Sequence, residues 1–246
     1  MATMNLIQDK IVEKDFFDQF ILKNDYDVFD ERGYQRILFE FYKLVEFRPG
    51  MKVLDLGCGT GGFTKKFLGK GLDLYGMDIS PKCIEFAQKK HPEIHFCTGD
   101  IEQTPYKENS FDVVLLSGVL HHFPDFSGAL KESYRILKKG GALLAFDPHL
   151  HNPMMWLYRC KKSPFYSSKG VTENEEPLAK KKIQYHFSNE NFVQSSVYSI
   201  SGVTYQYVDS KLAQIFLHCY NGVELLFDLP FLRQIIGSFL ITYAQK

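Results

Sequence analysis

The sequence predicts an α/β fold, a mostly parallel sheet with helices on both faces. Three observations carry that reading. Short apolar runs alternate with helical patterns between residues 52 and 146. A glycine-rich turn, Gly57-Cys58-Gly59-Thr60-Gly61-Gly62, directly follows the first apolar run. Acidic residues stand at the ends of the first three runs, at Asp55, Asp78 and Asp100. Alternation at this pace means strand–helix–strand units with right-handed crossovers, and such sheets bind ligands beyond the carboxyl ends of their strands.

Each element has its own signal. Phe16, Phe17, Phe20 and Ile21, then Ile37, Leu38, Phe41, Leu44 and Val45, recur at helical spacing. They predict two or three helices, broken near Asn24 to Gly33 and ended by Pro49-Gly50. Lys52 to Leu56 is a first strand, and Phe63, Phe67 and Leu68 mark a helix after the glycines. Leu72 to Met77 is a second strand ending in Asp78. Pro81 to Lys90 is a helix with Ser80 as N-cap and proline at its first position. Ile94 to Thr98 is a third strand, and Phe111 to Leu116 an apolar run of the fully buried type. Phe126 to Leu137 reads as a helix closed by Lys138-Lys139-Gly140-Gly141, before a fifth strand from Ala142 to Phe146. Beyond Pro148 the pattern loosens into a loop with Pro153, Pro164 and Gly170. A helix from Glu175 to Phe187, a strand from Val193 to Ile200, an apolar helical stretch from Leu212 to Leu232 and a last strand from Ser238 to Ala244 complete the reading.

The chain has 246 residues, which suits one domain. Its expected parts are a helical extension over 1–48, a ligand-binding core over 49–150, and closing strands with a second binding segment over 151–246. Lysine plus arginine equals aspartate plus glutamate, 29 against 29, so no overall field attracts nucleic acid. Five cysteines without a CxxC pair suit reduced thiols in the cytoplasm. No signal peptide is expected, and no apolar stretch approaches the ~18 residues of a membrane span.

The glycines let the chain turn sharply after the first strand and let a ligand approach the backbone. Gly57, Gly59 and Gly62 satisfy GxGxxG, the dinucleotide fingerprint. Asp55, two positions earlier, argues against a pyrophosphate because it would set negative charge beside negative charge. It suits a ligand carrying an ammonium group and no phosphate, such as S-adenosyl-L-methionine. Asp78 lies 23 positions after Asp55, where a carboxylate can accept both hydroxyls of a ribose, with Ile79 beside it. A helix cap is the other reading of Asp78. Asp100 can accept from an adenine amino group while Ile101 packs on the ring, or the pair is an ordinary turn. Ser117 and Gly118, after the fourth strand, would floor the methionine part.

In this order the motifs resemble the core of class I S-adenosylmethionine-dependent methyltransferases, in particular the small-molecule branch called methyltransferase type 11. The likeness runs from Val53 to Phe146, about 40% of the chain. It implies a Rossmann-like sheet of seven strands in the order 3-2-1-4-5-7-6, the last antiparallel. It also implies that Asp55, Gly57, Cys58, Gly59 and Gly61 hold the methionine moiety, Asp78 and Ile79 the ribose, and Asp100 and Ile101 the adenine. S-adenosyl-L-homocysteine would be the product. The stretch from Asn152 to Glu175 is similar to a bacterial and archaeal subgroup of the same branch.

His121 and His122 follow the fourth strand beside the expected methyl group, so they are the candidate catalytic residues; packing within the loop is the alternative. Asp147, His149 and His151 face the same rim. Their spacing makes a poor metal site, and none is expected. Tyr26, Asp27, Arg32, Tyr34, Tyr158 and Arg159 are candidates for closing the site. A small-molecule acceptor, lipid-like or glycan-like, is expected, and 22 phenylalanines and 14 tyrosines suit an apolar pocket for it. The apolar 212–240 segment would roof that acceptor, touch a membrane surface, form a homodimer contact or simply pack. Two rival functions stay open: an NAD-dependent oxidoreductase, and a cofactor-binding protein without catalysis.

Overall fold

A computed structural model describes residues 9–20, 29–166, 171–172, 174–206 and 211–246. Helices α1 (Lys10–Phe20) and α2 (Glu31–Leu44) precede β1 (Lys52–Leu56), β2 (Asp73–Asp78), α3 (Pro81–Lys90), β3 (His95–Thr98) and β4 (Phe111–Ser117). Then come α4 (Ser127–Ile136), β5 (Leu137–Pro148), α5 (Pro153–Arg159), α6 (Lys180–Ser188), β6 (Gln194–Ile200), α7 (Lys211–Phe227), α8 (Pro230–Ile236) and β7 (Phe239–Gln245). The seven strands form one sheet in the order β3-β2-β1-β4-β5-β7-β6. β1, β2, β3, β4 and β5 pair in parallel, and β7 runs antiparallel to both β5 and β6. This is the Rossmann-like order expected of the sequence.

Side chains of one strand alternate between two cores. Val53, Val113 and Leu115 point into an apolar cluster with Ile37 and Phe41 of α2, whereas Leu54, Leu56, Val114 and Leu116 point into one with Leu130 and Ile136 of α4. Both faces are thereby covered, which is why these strands read as continuous apolar runs. The order reverses between β1 and β4, and a crevice opens at their carboxyl ends.

The helix starts follow their caps. Asp30 accepts from the Gly33 amide, Ser80 from Cys83, and Asn152 from Met154 and Met155. Five features differ from the sequence reading by more than a residue or two. The helix expected through Phe63 and Phe67 is a single 3-10 turn, Thr64–Phe67. α4 ends at Ile136, and β5 starts at Leu137, so Lys138 to Gly141 belong to the strand. α6 begins at Lys180, five residues later than expected, because Leu178 pairs with His149 and Pro148 in extended form. The expected loop at Pro153 holds α5, whose signal was the Asn152-Pro153 cap and first-position proline. The long apolar stretch is two helices, α7 and α8, interrupted before Pro230. Among the described residues no helix is long and apolar enough to cross a membrane.

Candidate active site

A cavity of about 230 Å³ opens at the crevice between β1 and β4. Gly57, Cys58 and Gly59 line it, together with Asp78, Ile79, Asp100, Ile101, Ser117, Gly118, His121 and His122. Eleven of the thirteen residues expected to bind the cofactor or act in catalysis therefore line one cavity.

The other two stand behind it. Asp55 is fully buried under the glycine turn, where its Oδ2 accepts from the Thr64 hydroxyl at 2.7 Å and Oδ1 has no hydrogen bond of good geometry among the described residues. Burial, partly offset by the Thr64 and Ser117 hydroxyls and reinforced by the charge of Asp78, pushes its pKa up to about 7. Gly61 turns its α-carbon toward Phe96, which an added Cβ would meet at 2.8 Å, and Gly62 takes its place on the wall. Gly57 has φ +75°, and a Cβ there would stand 2.5 Å from a Val119 methyl, so the turn needs glycine.

Asp78 accepts from the Gly59 amide at 2.8 Å through Oδ2 and from the Ser80 amide at 2.9 Å through Oδ1. It braces the turn and keeps a lone pair on each oxygen for a ligand, so the two sequence readings of Asp78, cap and ligand contact, are compatible. Asp100 accepts from the Glu102 amide and pairs with Lys10 of α1 at 2.6 Å. The Cys58 thiol is driven up by burial and the nearby carboxylates, so it stays protonated and lines the wall as an apolar group.

The histidines stand at the other end. His121 Nδ1 lies 2.9 Å from Asp147 Oδ1, and the same oxygen accepts the His121 amide at 3.0 Å. An Nδ1–H donated to Asp147 leaves the lone pair on Nε2, 3.9 Å from Glu175. His122 Nδ1 lies 3.2 Å from the Thr172 hydroxyl and 3.7 Å from Glu13 Oε2. Burial, and then the charge of His121, lowers the pKa of His122 to about 3, so it is a neutral ring at ordinary pH. Burial alone would raise Glu175, but His122, Arg159 and His121 outweigh it and hold the carboxyl below its usual range. Arg159 stands 3.5 Å from Glu175.

The loop histidine group expected to be a poor metal site does not converge. Asp147 turns to His121, and His149 donates to the Gly237 carbonyl at 2.8 Å. His121, His122 and Glu175 do bring one donor atom each within 4.8 Å of one another. Of the candidate closing residues, Tyr34 and Arg159 line the cavity, Arg32 is exposed on α2, and Tyr158 is not part of the lining. Tyr26 and Asp27, like Gly170 and Glu173, lie outside the described residues.

Residues 54–145 match the family described as a methyltransferase domain. Residues 54–145 are a methyltransferase domain. The methyltransferase domain of this chain resembles the malonyl-[acyl-carrier protein] O-methyltransferase of Serratia marcescens, 34% identical over 96 residues, 39% of this chain and 38% of that protein. A longer match, 32% identical over 152 residues, joins 55% of this chain to 61% of the demethylmenaquinone methyltransferase of Lactobacillus johnsonii. The matches thus span between about a third and two thirds of those relatives. A SAM-dependent methyltransferase of Thermotoga maritima superposes with TM-score 0.64 over 95% of this chain and 99% of its own, at 20% identity. At that identity the likeness shows the fold.

The sequence did not point to Glu13 and Glu175, or to Lys10, Phe17 and Tyr205, all of which line the cavity. Lys10, Glu13 and Phe17 lie three and four residues apart on one face of α1. A charged residue on the face that also carries Phe17 was the available signal.

Proposed function

We propose that the chain transfers a methyl group from S-adenosyl-L-methionine to a small-molecule acceptor, leaving S-adenosyl-L-homocysteine. The supporting observation is the charge of the cavity. Asp78 and Asp100 line its nucleotide end with Asp55 buried behind, and the nearest base, Lys10, is already paired with Asp100. A pyrophosphate would meet carboxylates there, whereas a sulfonium and an ammonium group are welcome. The unpartnered Asp55 Oδ1 and its raised pKa fit a cationic moiety above the turn. In this reading Gly57, Cys58 and Gly59 bound the methionine moiety and Gly61 shapes the turn. Asp78 and Ile79 hold the ribose, Asp100 and Ile101 the adenine, and Ser117 and Gly118 the floor.

When bound, the sulfonium supplies an electrophilic methyl carbon. The protein's task is alignment and exclusion of water, and such alignment is worth roughly 7–11 kcal/mol. His121, oriented by Asp147, offers a lone pair on Nε2 to take a proton from the acceptor. His122, neutral and tied to Thr172, supports the wall. Residues 49–150 would hold the cofactor, 1–48 would cap it and 151–246 would build the acceptor end. Ser80 supports the capping role, because its hydroxyl donates to Asp18 of α1 at 2.5 Å. Exposed Leu225, Leu226, Leu229, Phe231 and Ile235, on α7, α8 and the turn between them, support contact of this segment with a lipid surface or a second copy. Five free cysteines support a cytoplasmic setting.

Calorimetry with S-adenosylmethionine, S-adenosylhomocysteine and NAD tests the reading. Binding of the first two and not the third is expected. NAD binding in their place would revive the oxidoreductase, and tight cofactor binding without turnover on any acceptor would leave a non-catalytic binder.

A further inference from the structure

The acceptor end of the cavity has one acid too many. Asp147 is matched by His121 at 2.9 Å, and Glu175 by Arg159 at 3.5 Å. His122 is held neutral. Glu13 has no cationic partner among the described residues. It lines the cavity, is 4% exposed, and among those residues no donor makes a hydrogen bond of good geometry to either of its oxygens. Burial, partly offset by the nearby Thr172 hydroxyl, pushes its pKa up to about 7. An unpartnered buried carboxyl costs stability. It stands 3.7 Å from His122, beside the proposed position of the transferred methyl. Phe17 packs edge-on against His122 at 5.6 Å, and Phe29, Tyr34 and Tyr205 also line the cavity.

We infer that Glu13 is the counter-carboxylate for the acceptor and that the acceptor is a small amine, bound as its ammonium ion between Glu13 and these aromatic rings. This rests on the methyl-transfer reading. Carboxylate and phosphate acceptors would face Glu13 and Glu175, with Arg159, already paired with Glu175, in compensation. A neutral alcohol could donate one hydrogen bond to Glu13 but would bring no charge to balance the carboxylate. An ammonium satisfies Glu13 by a charge-assisted hydrogen bond and the rings by cation–π attraction. For reaction, the ammonium nitrogen gives one proton to His121 Nε2, and its freed lone pair forms the new N–C bond. The electron pair of the breaking S–C bond stays on sulfur. The product is a methylated ammonium of the same charge, which Glu13 still matches.

The test uses the full chain saturated with S-adenosylhomocysteine, and three probe sets. Each set is an amine with its alcohol and carboxylate counterparts: 2-phenylethylamine, 2-phenylethanol and phenylacetate; the butyl series; and the imidazolylethyl series. Calorimetry is expected to show at least one amine binding ten times more tightly than its alcohol and acid. Glu13→Gln should erase that preference. Because the glutamine removes an unmatched buried carboxyl, its melting temperature should equal or exceed that of the unaltered chain. A structural role for Glu13 predicts the opposite, a lower melting temperature with the preference intact, and that result overturns the inference. So does equal binding of amine and alcohol, or binding of no amine by the cofactor-loaded chain. Binding of Zn²⁺ or Mn²⁺ that survives excess amine and is lost in Glu13→Gln would assign the carboxylate to a metal instead. Failure of S-adenosylhomocysteine to bind at all would defeat the methyl-transfer reading, and is seen before any probe is added.

Discussion

Asp78→Asn separates the two tasks of that carboxylate. In the ligand-free chain its oxygens accept from the Gly59 and Ser80 amides at 2.8 and 2.9 Å. Asparagine keeps one accepting oxygen and presents an NH₂ to the other amide, so one backbone donor loses its partner, at about 1–3 kcal/mol. Removal of a fully buried acid whose pKa burial has raised offsets part of that cost. The net change should lower the melting temperature by a few degrees at most, on the scale of ~2–4 °C per kcal/mol for a chain of this size. Binding should suffer more. A hydrogen bond from a ribose hydroxyl to a charged acceptor contributes about 1.5–3 kcal/mol, so the Kd for S-adenosylhomocysteine should rise roughly 10- to 150-fold. Calorimetry at 15 °C, where both proteins are folded, measures this. An analogue without the two ribose hydroxyls should bind the unaltered chain as weakly as the intact ligand binds the variant, and should lose little further affinity on the variant. An unchanged Kd in folded Asp78→Asn would refute the ribose assignment and leave Asp78 as a brace of the turn.

Three further outcomes follow from the same geometry. His121→Gln and Asp147→Asn should each lower turnover by ~10²–10⁴ with cofactor affinity nearly unchanged. His122→Gln should lower it less than tenfold; equal losses at the two histidines would defeat the distinction between them. Gly57→Ala forces a side chain to φ +75° against the Val119 methyl, so denaturant unfolding should show a loss of ~1–3 kcal/mol, and cofactor binding should vanish. Glu224 is buried with Ser238, Gly202 and Asn152, and burial raises its pKa to about 7 from an ordinary 4.5. A carboxyl raised in the folded state contributes stability that is complete below its unfolded pKa and is lost as pH climbs through the folded value. Glu224→Gln should therefore flatten the fall in stability between about pH 4.5 and pH 7 by up to roughly 3 kcal/mol. Parallel curves for variant and unaltered chain would show that Glu224 does not titrate there.

The sequence by itself determined the sheet and the glycine- and acid-bearing end of the cavity. Val53-Leu54-Asp55-Leu56 followed by glycines, and the acids at Asp78 and Asp100, are local signals: a strand's apolar run, a turn only glycine can make, and a polar group one residue beyond. All three lie within a few residues of a strand end, so reading along the chain was enough to find them. Ser80-Pro81 marked the start of α3 to the residue for the same reason. What tertiary structure alone decided is the other end of the cavity, the proposed acceptor site. Glu13, His121, Asp147, Arg159 and Glu175 come from α1, the turn after β4, β5, α5 and the chain before α6, and no spacing connects them. Nor could periodicity show that Asp55 points under the turn toward Thr64 while Asp78 points into the cavity. The reason is physical. Strand ends and caps are fixed by neighbours in sequence, but which charge finds a partner is fixed by packing between distant elements, and among the described residues Glu13 has no cationic partner.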